Sequence, residues 1–330
     1  MSLDTSWWMQ QSRRVLVNLA TVVLIFLAAE LTLGLFIPDF RETIIPDDVV
    51  YFRYKPDSGT KDYTTLMADQ RVVSYAIGHY GERIVRAGEA REYEPPYILS
   101  FGDSTCFGHG VEGDETYEYF LEELLDGRVP VINFGVSGYN GFQSAMIAKE
   151  QVERFKPRLI LMQWDPNDDD PMFPVQPDKN VGLLGQTRVE RLFYYLMSYG
   201  YLGKSAMAKI DRTTGRSMIT PTTFDALRLL VPSLRRHQVA VIALYDFLPR
   251  SLKDNDWQEI LRKNDIPLVT HEMTYYRDKD YLLDSSVHLN AAGNARVAEE
   301  LYKIIRERFA DRVGLPPADT GPETGEQPAV

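Results

Sequence analysis

The chain has 330 residues, 44% of them hydrophobic and 25% charged, with a formal net charge of −11. This is the composition of an ordinary folded protein with one large domain or two small ones, and its acidic balance argues against a nucleic-acid partner, because phosphate binding needs clustered Lys and Arg. The single cysteine, Cys106, excludes an internal disulfide bond and leaves the redox compartment open.

The first predicted element is an apolar helix at residues 15–37, VLVNLATVVLIFLAAELTLGLFI, behind a short N-terminus at 1–14. At about 1.5 Å per residue this helix spans about 34 Å, enough to cross a hydrocarbon core of about 30 Å. Glu30 is the single charge inside it, and the preceding Arg13 and Arg14 favour a cytoplasmic N-terminus and export of the rest. We therefore expect a retained single-pass membrane anchor. The alternatives are a cleaved signal peptide, with its apolar region at 15–29, and a buried helix of a soluble protein.

The next segment, residues 38–95, is polar and tyrosine-rich without a long periodic run, so we expect an extension that packs on a main domain at 96–312. The main domain contains five short apolar runs, at residues 97–101, 129–135, 157–164, 238–245 and 266–270. Continuous apolar runs of this length are typical of parallel strands that are buried on both faces.

Helical patterns separate or follow these runs, at residues 115–125, 141–155, 222–237, 256–264 and 291–309. Strand–helix alternation predicts an α/β fold with a parallel sheet and right-handed crossovers. Residues 171–221 form an insertion with one predicted helix around 189–202. The tail at 313–330 is rich in Pro, Gly and acidic residues and is predicted to be disordered.

Four residues whose groups could take part in catalysis follow the apolar runs or precede the last helix. Ser104 lies in FGDS after the first run, Gly138 in NFGVSGYN after the second, and Asn167 in WDPNDDD after the third; His288 lies in LLDSSVHLNAAGN. Ligands of open parallel sheets bind beyond the carboxyl ends of the strands. The sequence therefore predicts a nucleophile, a backbone donor, an amide donor and a base at one edge of the sheet.

These four blocks, in this order, resemble the SGNH (GDSL-type) hydrolase family. The pattern GDSxxFGxGV, an ET helix after it and HLNxxGNxxxA at the last helix are similar to the membrane-anchored bacterial members of that family. The resemblance covers roughly residues 97–308. It implies a flavodoxin-like three-layer αβα sandwich with a parallel sheet of about five strands, here with an N-terminal transmembrane helix.

The resemblance also implies roles for individual residues. Ser104 would be the nucleophile and His288 the base that takes its proton, with an acid on the other imidazole nitrogen. The backbone N–H groups of Ser104 and Gly138 and the side-chain amide of Asn167 would form the oxyanion hole. Asp103 would anchor the turn without reacting.

Two positions depart from the family pattern. Asp165 stands two residues before Asn167, where the family usually carries Gly, and we expect its side chain to narrow or charge the pocket. Ser285 stands three residues before His288, where the family usually carries Asp, and Asp284 lies one residue further away.

We expect Asp284 to be the acid of the triad, because one extra loop residue is absorbed by a tighter turn. A two-residue Ser–His system and another acid, Asp280 or Asp278, stay open as alternatives.

Other reactive side chains have plainer interpretations. Cys106 could be a nucleophile, but a small buried residue beside the site is the expected role. His109 is expected to be a loop residue or to line the pocket, and His79 to lie on the surface or contact substrate. His237 and His271 fit a helix end and a strand end.

The acidic segment DPNDDD has some features of a metal site. Asp165, Asn167 and Asp169 match the start of an EF-hand loop, but Asp170 replaces its Gly and Gln176 its Glu. We expect a solvated acidic loop around Asn167, with no metal and no cofactor.

Together these features predict a membrane-anchored serine esterase with its catalytic domain outside the cytoplasm. Its partners would be the membrane, through residues 15–37, and an acylated carbohydrate or lipid that carries acyl esters, in particular O-acetyl esters; no nucleic acid is expected. An O-acyltransferase on cell-surface polysaccharide, with the same site, is one alternative. A catalytically weak binding or assembly module that keeps the fold is another.

Overall fold

The computed structural model describes residues 13–25, 28, 44–47, 49–63, 72–86, 92–169, 222–274, 278–283 and 288–316. The chain divides into two units, Met1–Tyr51 with Phe173–Met218 and Phe52–Met172 with Ile219–Val330. The sheet and the candidate site belong to the second unit. The predicted insertion at 171–221 and residues 317–330 of the predicted tail lie outside the described residues.

The first unit contains a helix, α1 (residues 13–25), and a short strand, β1 (Ile44–Asp47). The apolar side chains of α1 are exposed, among them Val15, Leu19 and Ile25. Within the described part of the chain, no helix combines the length and the apolar character that a membrane crossing requires. Residues 26, 27 and 29–37 of the predicted anchor lie outside the described residues.

The second unit begins with an antiparallel hairpin, in the segment that the sequence predicts only as an extension. After β2 (Tyr51–Tyr54), β3 (Ser58–Tyr63) pairs antiparallel with β4 (Val72–Ile77). Alternate residues of β4 are buried, as in a strand with one face on the core. The apolar Val72 and Ala76 on its outer face hide this alternation in the sequence.

Five parallel strands form the central sheet, in the order β6-β5-β7-β8-β9. They are β5 (Ile98–Phe101), β6 (Val131–Asn133), β7 (Leu159–Trp164), β8 (Ala240–Tyr245) and β9 (Leu268–Glu272). Counted among these five strands, the order is 2-1-3-4-5, which is the flavodoxin-like arrangement. The expected parallel sheet of five strands is therefore confirmed.

The register of the sheet explains the apolar runs. Leu159 of β7 pairs with Ile98 of β5 on one side and with Ala240 of β8 on the other, and all three are fully buried. β9 begins two residues later than predicted. Pro267 precedes it and has no N–H to give to the ladder.

Helices cover both faces of the sheet. On one face, α3 (Tyr117–Leu124) and α8 (Ala291–Arg308) join β5, β7 and β8 in one apolar core. The other layer contains α4 (Gly141–Phe155), which packs on β5, and α5 (Thr223–Arg236), which packs on α4. The short helices are α2 (Ser104–Phe107), α6 (Arg250–Lys253) and α7 (Trp257–Lys263).

The hairpin continues onto the edge of the sheet. Arg83 forms isolated bridges to Ile77 at the end of β4 and to Asn133 at the end of β6, and its N–H donates to the Asn133 carbonyl at 2.8 Å. An open sheet edge invites unwanted pairing. The segment after β4 therefore covers the edge strand β6 at the end where functional residues are expected.

Candidate active site

The nucleophile candidate begins the short helix α2, directly beyond β5. Asp103 is the N-cap of α2, and its carboxylate accepts a hydrogen bond from the Thr105 N–H at 3.0 Å. A Cβ atom on Gly102 would lie 2.6 Å from Cβ of Cys106, so the strand can approach the helix this closely only with glycine. The expected anchoring role of Asp103 is confirmed, and Ser104 is left at the first helical position.

Asn133 holds the other side of this turn. Its side-chain Nδ2 donates to the Cys106 carbonyl at 2.7 Å, and its Oδ1 accepts from the Gly135 N–H at 2.8 Å. Asn133 is fully buried at the end of β6. In this block the sequence predicts a functional role for Gly138 but none for Asn133. The feature that could have indicated Asn133 is its position as a polar residue at the end of an apolar strand.

Ser104 and His288 meet at the carboxyl edge of the sheet. His288 Nε2 lies 3.1 Å from Ser104 Oγ, although 184 positions separate the two residues. Both side chains are half-buried, and His288 stands just before α8, whose N-cap is Asn290. This is hydrogen-bonding distance between a hydroxyl and a base that can take its proton.

The predicted acid, Asp284, lies outside the described residues, as does Ser285, and its role stays a prediction. On either side of residues 284–287, the Leu283 N–H donates to the His288 carbonyl at 2.9 Å. Of the alternative acids, Asp278 and Asp280 are exposed, and an oxygen of Asp278 accepts from the Asp280 N–H at 3.0 Å.

The two other predicted oxyanion donors follow neighbouring strands. Gly138 lies beyond β6, exposed, with φ +84°. Asn167 lies beyond β7, exposed, in the 3₁₀ turn Pro166–Asp169. Both stand at the same edge of the sheet as Ser104, and their part in an oxyanion hole stays a prediction.

Asp165 lies in the interior of the fold, whereas the sequence predicts that its side chain narrows or charges the pocket. Its side chain is buried, its Oδ2 accepts from Gln163 Nε2 at 3.0 Å, and its N–H donates to Asp168 Oδ2 at 2.9 Å. Burial raises the pKa of Asp165 well above its usual value, and the nearby carboxyls of Asp103 and Asp168 raise it further. Asp165 is therefore an internal carboxyl group of the third block that interacts with Asp103 of the first.

Cys106 is not a reactive thiol. It is fully buried in α2. Burial raises its pKa well above the usual value, and the charge of Glu118 adds to this. Because the thiolate is the nucleophilic form of cysteine, the structure supports the expected role of a small buried residue and contradicts a cysteine nucleophile.

One further histidine shares the site. The ring of His109 lies 4.7 Å from the ring of His288, centroid to centroid. The other histidines lie elsewhere. Exposed His79 pairs with Asp57, and His237 at the end of α5 pairs with Glu153. Burial lowers the pKa of His271 in β9. His109 therefore belongs to the candidate active site, which is one of the two roles expected for it.

The acidic turn after β7 has a structural use. Asp169 accepts hydrogen bonds from the Thr223 N–H at 3.0 Å and from the Ser251 hydroxyl at 2.7 Å. It thereby joins this turn to the starts of α5 and α6. Among the described residues, no three His, Cys, Asp or Glu side chains are grouped to hold a metal ion; Asp170 and Gln176 of the EF-hand-like segment lie outside them.

Comparison with known proteins gives similar solved structures. No protein-family model matches the chain, and no curated protein matches it. An esterase from Pseudoalteromonas sp. is 16% identical with a TM-score of 0.43, over 64% of this chain and 98% of its own. An acetylxylan esterase from Geobacillus stearothermophilus is 14% identical with a TM-score of 0.39, over 68% and 97%. A lipolytic protein of the G-D-S-L family from Desulfitobacterium hafniense is 12% identical with a TM-score of 0.35, over 64% and 99%. Scores this low carry no functional inference, and the function of this chain is inferred from the geometry around Ser104.

Proposed function

We propose that this protein is a serine ester hydrolase that works through an acyl-enzyme on Ser104. The observation that carries the proposal is the 3.1 Å distance between Ser104 Oγ and His288 Nε2. Asp103 and Asn133 fix the helix that presents the hydroxyl. Serine becomes a useful nucleophile when a base in this position takes its proton.

The reaction follows from the two side chains. Ser104 Oγ attacks the ester carbonyl while His288 Nε2 accepts the hydroxyl proton. The tetrahedral oxyanion then collapses, and the leaving alcohol takes that proton from His288. Water attacks the acyl-serine with His288 again as base, which releases the acid and restores Ser104.

The oxyanion needs preorganised donors on the side away from His288. The N–H of Ser104 at the start of α2, the N–H of Gly138 and the amide of Asn167 are assigned to it. Each donor of this kind is typically worth about 2.7–4 kcal/mol of transition-state stabilisation. Asp284 is assigned to the distal nitrogen of His288.

The proposed location is the outer face of a membrane, with residues 15–37 as a single-pass anchor and the N-terminus cytoplasmic. The support is the apolar sequence behind Arg13 and Arg14 and the exposed apolar side chains of α1. An esterase in this place would act on acyl esters, such as O-acetyl groups, of an extracytoplasmic glycan or lipid.

Hydrolysis of p-nitrophenyl acetate and of an acetylated glycan tests this function. We expect Ser104→Ala to lower turnover by at least ~10³-fold, because the nucleophile is lost, whereas Cys106→Ala retains most of it. Free acetate should be the product, and acetate transferred to an added sugar would indicate the acyltransferase instead. Equal activity of Ser104→Ala and the wild type would contradict the proposal.

A further inference from the structure

The loop after the nucleophile helix is held by one arginine from the N-terminal hairpin region. Arg83 Nη1 donates to the carbonyls of Phe107 and Gly108, and its Nη2 donates to the carbonyl of Val111. Gly108 has a φ of +75°, which side chains other than glycine rarely adopt. The loop Phe107–Val111 therefore turns three of its five carbonyls towards a single guanidinium group.

Arg83 is itself firmly placed. It is 1% exposed, and its guanidinium carbon lies 4.7 Å from the ring centroids of both Tyr75 and Phe107. A buried cation is costly unless hydrogen bonds satisfy it. Three carbonyls and two aromatic faces satisfy the two terminal nitrogens, while Nε has no hydrogen-bond partner among the described residues. Only a planar fork with several N–H donors can use all three carbonyls.

A second side chain of the hairpin fixes the tip of the same loop. The Gly110 N–H donates to the hydroxyl oxygen of Tyr75 at 2.8 Å. The Tyr75 ring also lies 6.4 Å from the ring of His109. His109 is thus flanked by residues whose backbone is tied to Arg83 on one side and to Tyr75 on the other.

The fixed loop reaches the catalytic pair through His109. The His109 ring lies 4.7 Å from the ring of His288, and His288 lies 3.1 Å from Ser104. If the imidazole of His288 rotates about its side-chain bonds, it moves out of hydrogen-bonding distance of Ser104. A ring packed against it restricts that motion.

We propose that His109 is a positioning residue that holds His288 towards Ser104, and that Arg83 and Tyr75 keep His109 in place. This inference rests on the proposed function, because it assigns His288 as the base. On this proposal, residues of the N-terminal hairpin region contribute to the active site by supporting His109.

The central test compares His109→Ala with His109→Phe, because phenylalanine keeps a ring and loses the nitrogens. We measure kcat and KM for p-nitrophenyl acetate and the rate at which a fluorophosphonate labels Ser104. We expect His109→Ala to lower kcat and the labelling rate about 10–100-fold with KM within two-fold, since small displacements of a catalytic group cost up to ~10²-fold. His109→Phe should stay within about three-fold of the wild type.

Two further variants test the hairpin-region residues that hold the loop of His109. Tyr75→Phe and Arg83→Lys should show the same fall in kcat at unchanged KM, because neither keeps the full set of hydrogen bonds to the loop. His79→Ala, an exposed histidine of the same region, is the matched control and should behave as the wild type. Thermal unfolding of each variant separates misfolding from misplacement, and His109→Ala remains decisive if the buried Arg83 variant does not fold.

Three results would overturn the inference. Labelling of His109→Ala at the wild-type rate would show that His288 needs no such support. A raised KM at unchanged kcat would make His109 a substrate-binding residue instead. Failure of the wild type to label at Ser104 would remove the proposed function, and this inference with it.

Discussion

At the scale of single residues, Ser104 is placed by its neighbour in the chain, Asp103, and by two residues that are far away in sequence, Asn133 and His288. Asp103 caps its helix, Asn133 holds a carbonyl of that helix, and His288 lies within hydrogen-bonding distance. Loss of an N-cap typically costs about 1 kcal/mol. A capped turn therefore holds the hydroxyl more firmly than a free glycine-rich loop would.

Some of these residues could be predicted from sequence and others could not. Ser104 and His288 stand in recognisable blocks, at positions where a parallel sheet exposes its loops. Arg83 and Tyr75 have no such pattern, and the sequence predicts His109 only as a loop residue or a pocket-lining residue. The roles of all three arise from contacts between a hairpin, a loop and a helix start. Such contacts depend on tertiary distances that local periodicity does not encode.

The acid of the triad is tested by Asp284→Asn beside Ser285→Ala. We expect Asp284→Asn to lower turnover by up to ~10⁴-fold. The imidazolium loses its charged partner, and the neutral imidazole is no longer held in the correct tautomer. Ser285→Ala should change turnover only slightly. The measurement is kcat for p-nitrophenyl acetate across the neutral pH range, with thermal unfolding as a control for the fold.

Turnover of Asp284→Asn within a few-fold of the wild type, with an unchanged pH profile, would remove Asp284 from the mechanism. A Ser–His system without a third residue would then explain the activity.

At the scale of elements, helix α3 brings a carboxyl group under the nucleophile helix. Glu118 of α3 is fully buried, and its Oε1 lies 3.7 Å from the sulfur of Cys106. Burial raises the pKa of Glu118 from 4.5 to about 7, against the opposing effects of hydrogen bonds and of the Arg83 charge. The interior beneath Ser104 therefore contains a group that titrates near neutral pH.

This raised pKa predicts a pH dependence of stability that Glu118→Gln should remove. The folded state keeps the proton between about pH 4.5 and 7 while the unfolded chain releases it. Stability from this group is thus full below about pH 4.5 and falls as the pH rises to about 7, by about 3 kcal/mol in total. Denaturant unfolding at about pH 5, near the lower end of this window, and at about pH 8, beyond its upper end, should show the wild type losing most of this amount relative to Glu118→Gln.

Glu123→Gln on the exposed side of the same helix is the matched control, and its curve should run parallel to that of the wild type. A constant difference between the wild type and Glu118→Gln across this pH window would contradict the prediction.

Most regular elements follow from the sequence because their patterns are local and strong. The five core strands are continuous apolar runs, and α4 and α8 have clear helical periodicity and capping residues. The exceptions are short or hidden by composition. α2 has four residues, too few for a period, and β4 carries apolar residues on its exposed face.

At the scale of the whole molecule, strand order explains where the site lies. β5 lies between β6 and β7; the connection that leaves β5 runs to β6 on one side, and the connection that leaves β7 runs to β8 on the other side. A crevice opens at such a reversal, beyond the carboxyl ends of the strands. Ser104 follows β5 and Asn167 follows β7, which places two proposed functional groups beside this crevice.

The proposed anchor is tested by fractionation of the full chain from cells. We expect it to remain with membranes in high salt and at alkaline pH, because the attachment at residues 15–37 is apolar and salt screens only charges. Protease added from outside the membrane should degrade the catalytic domain. A mature N-terminus near Leu31 would instead show a cleaved signal peptide.

The central claim is that Ser104 is an activated nucleophile, and its most direct test is the site of fluorophosphonate modification. The full chain is treated with the reagent, and the adduct is located by peptide mass spectrometry. We predict one adduct per chain, on Ser104, that is lost in Ser104→Ala and strongly slowed in His288→Ala, because the base no longer takes the hydroxyl proton. No adduct, or an adduct on another residue that persists in Ser104→Ala, would contradict the account.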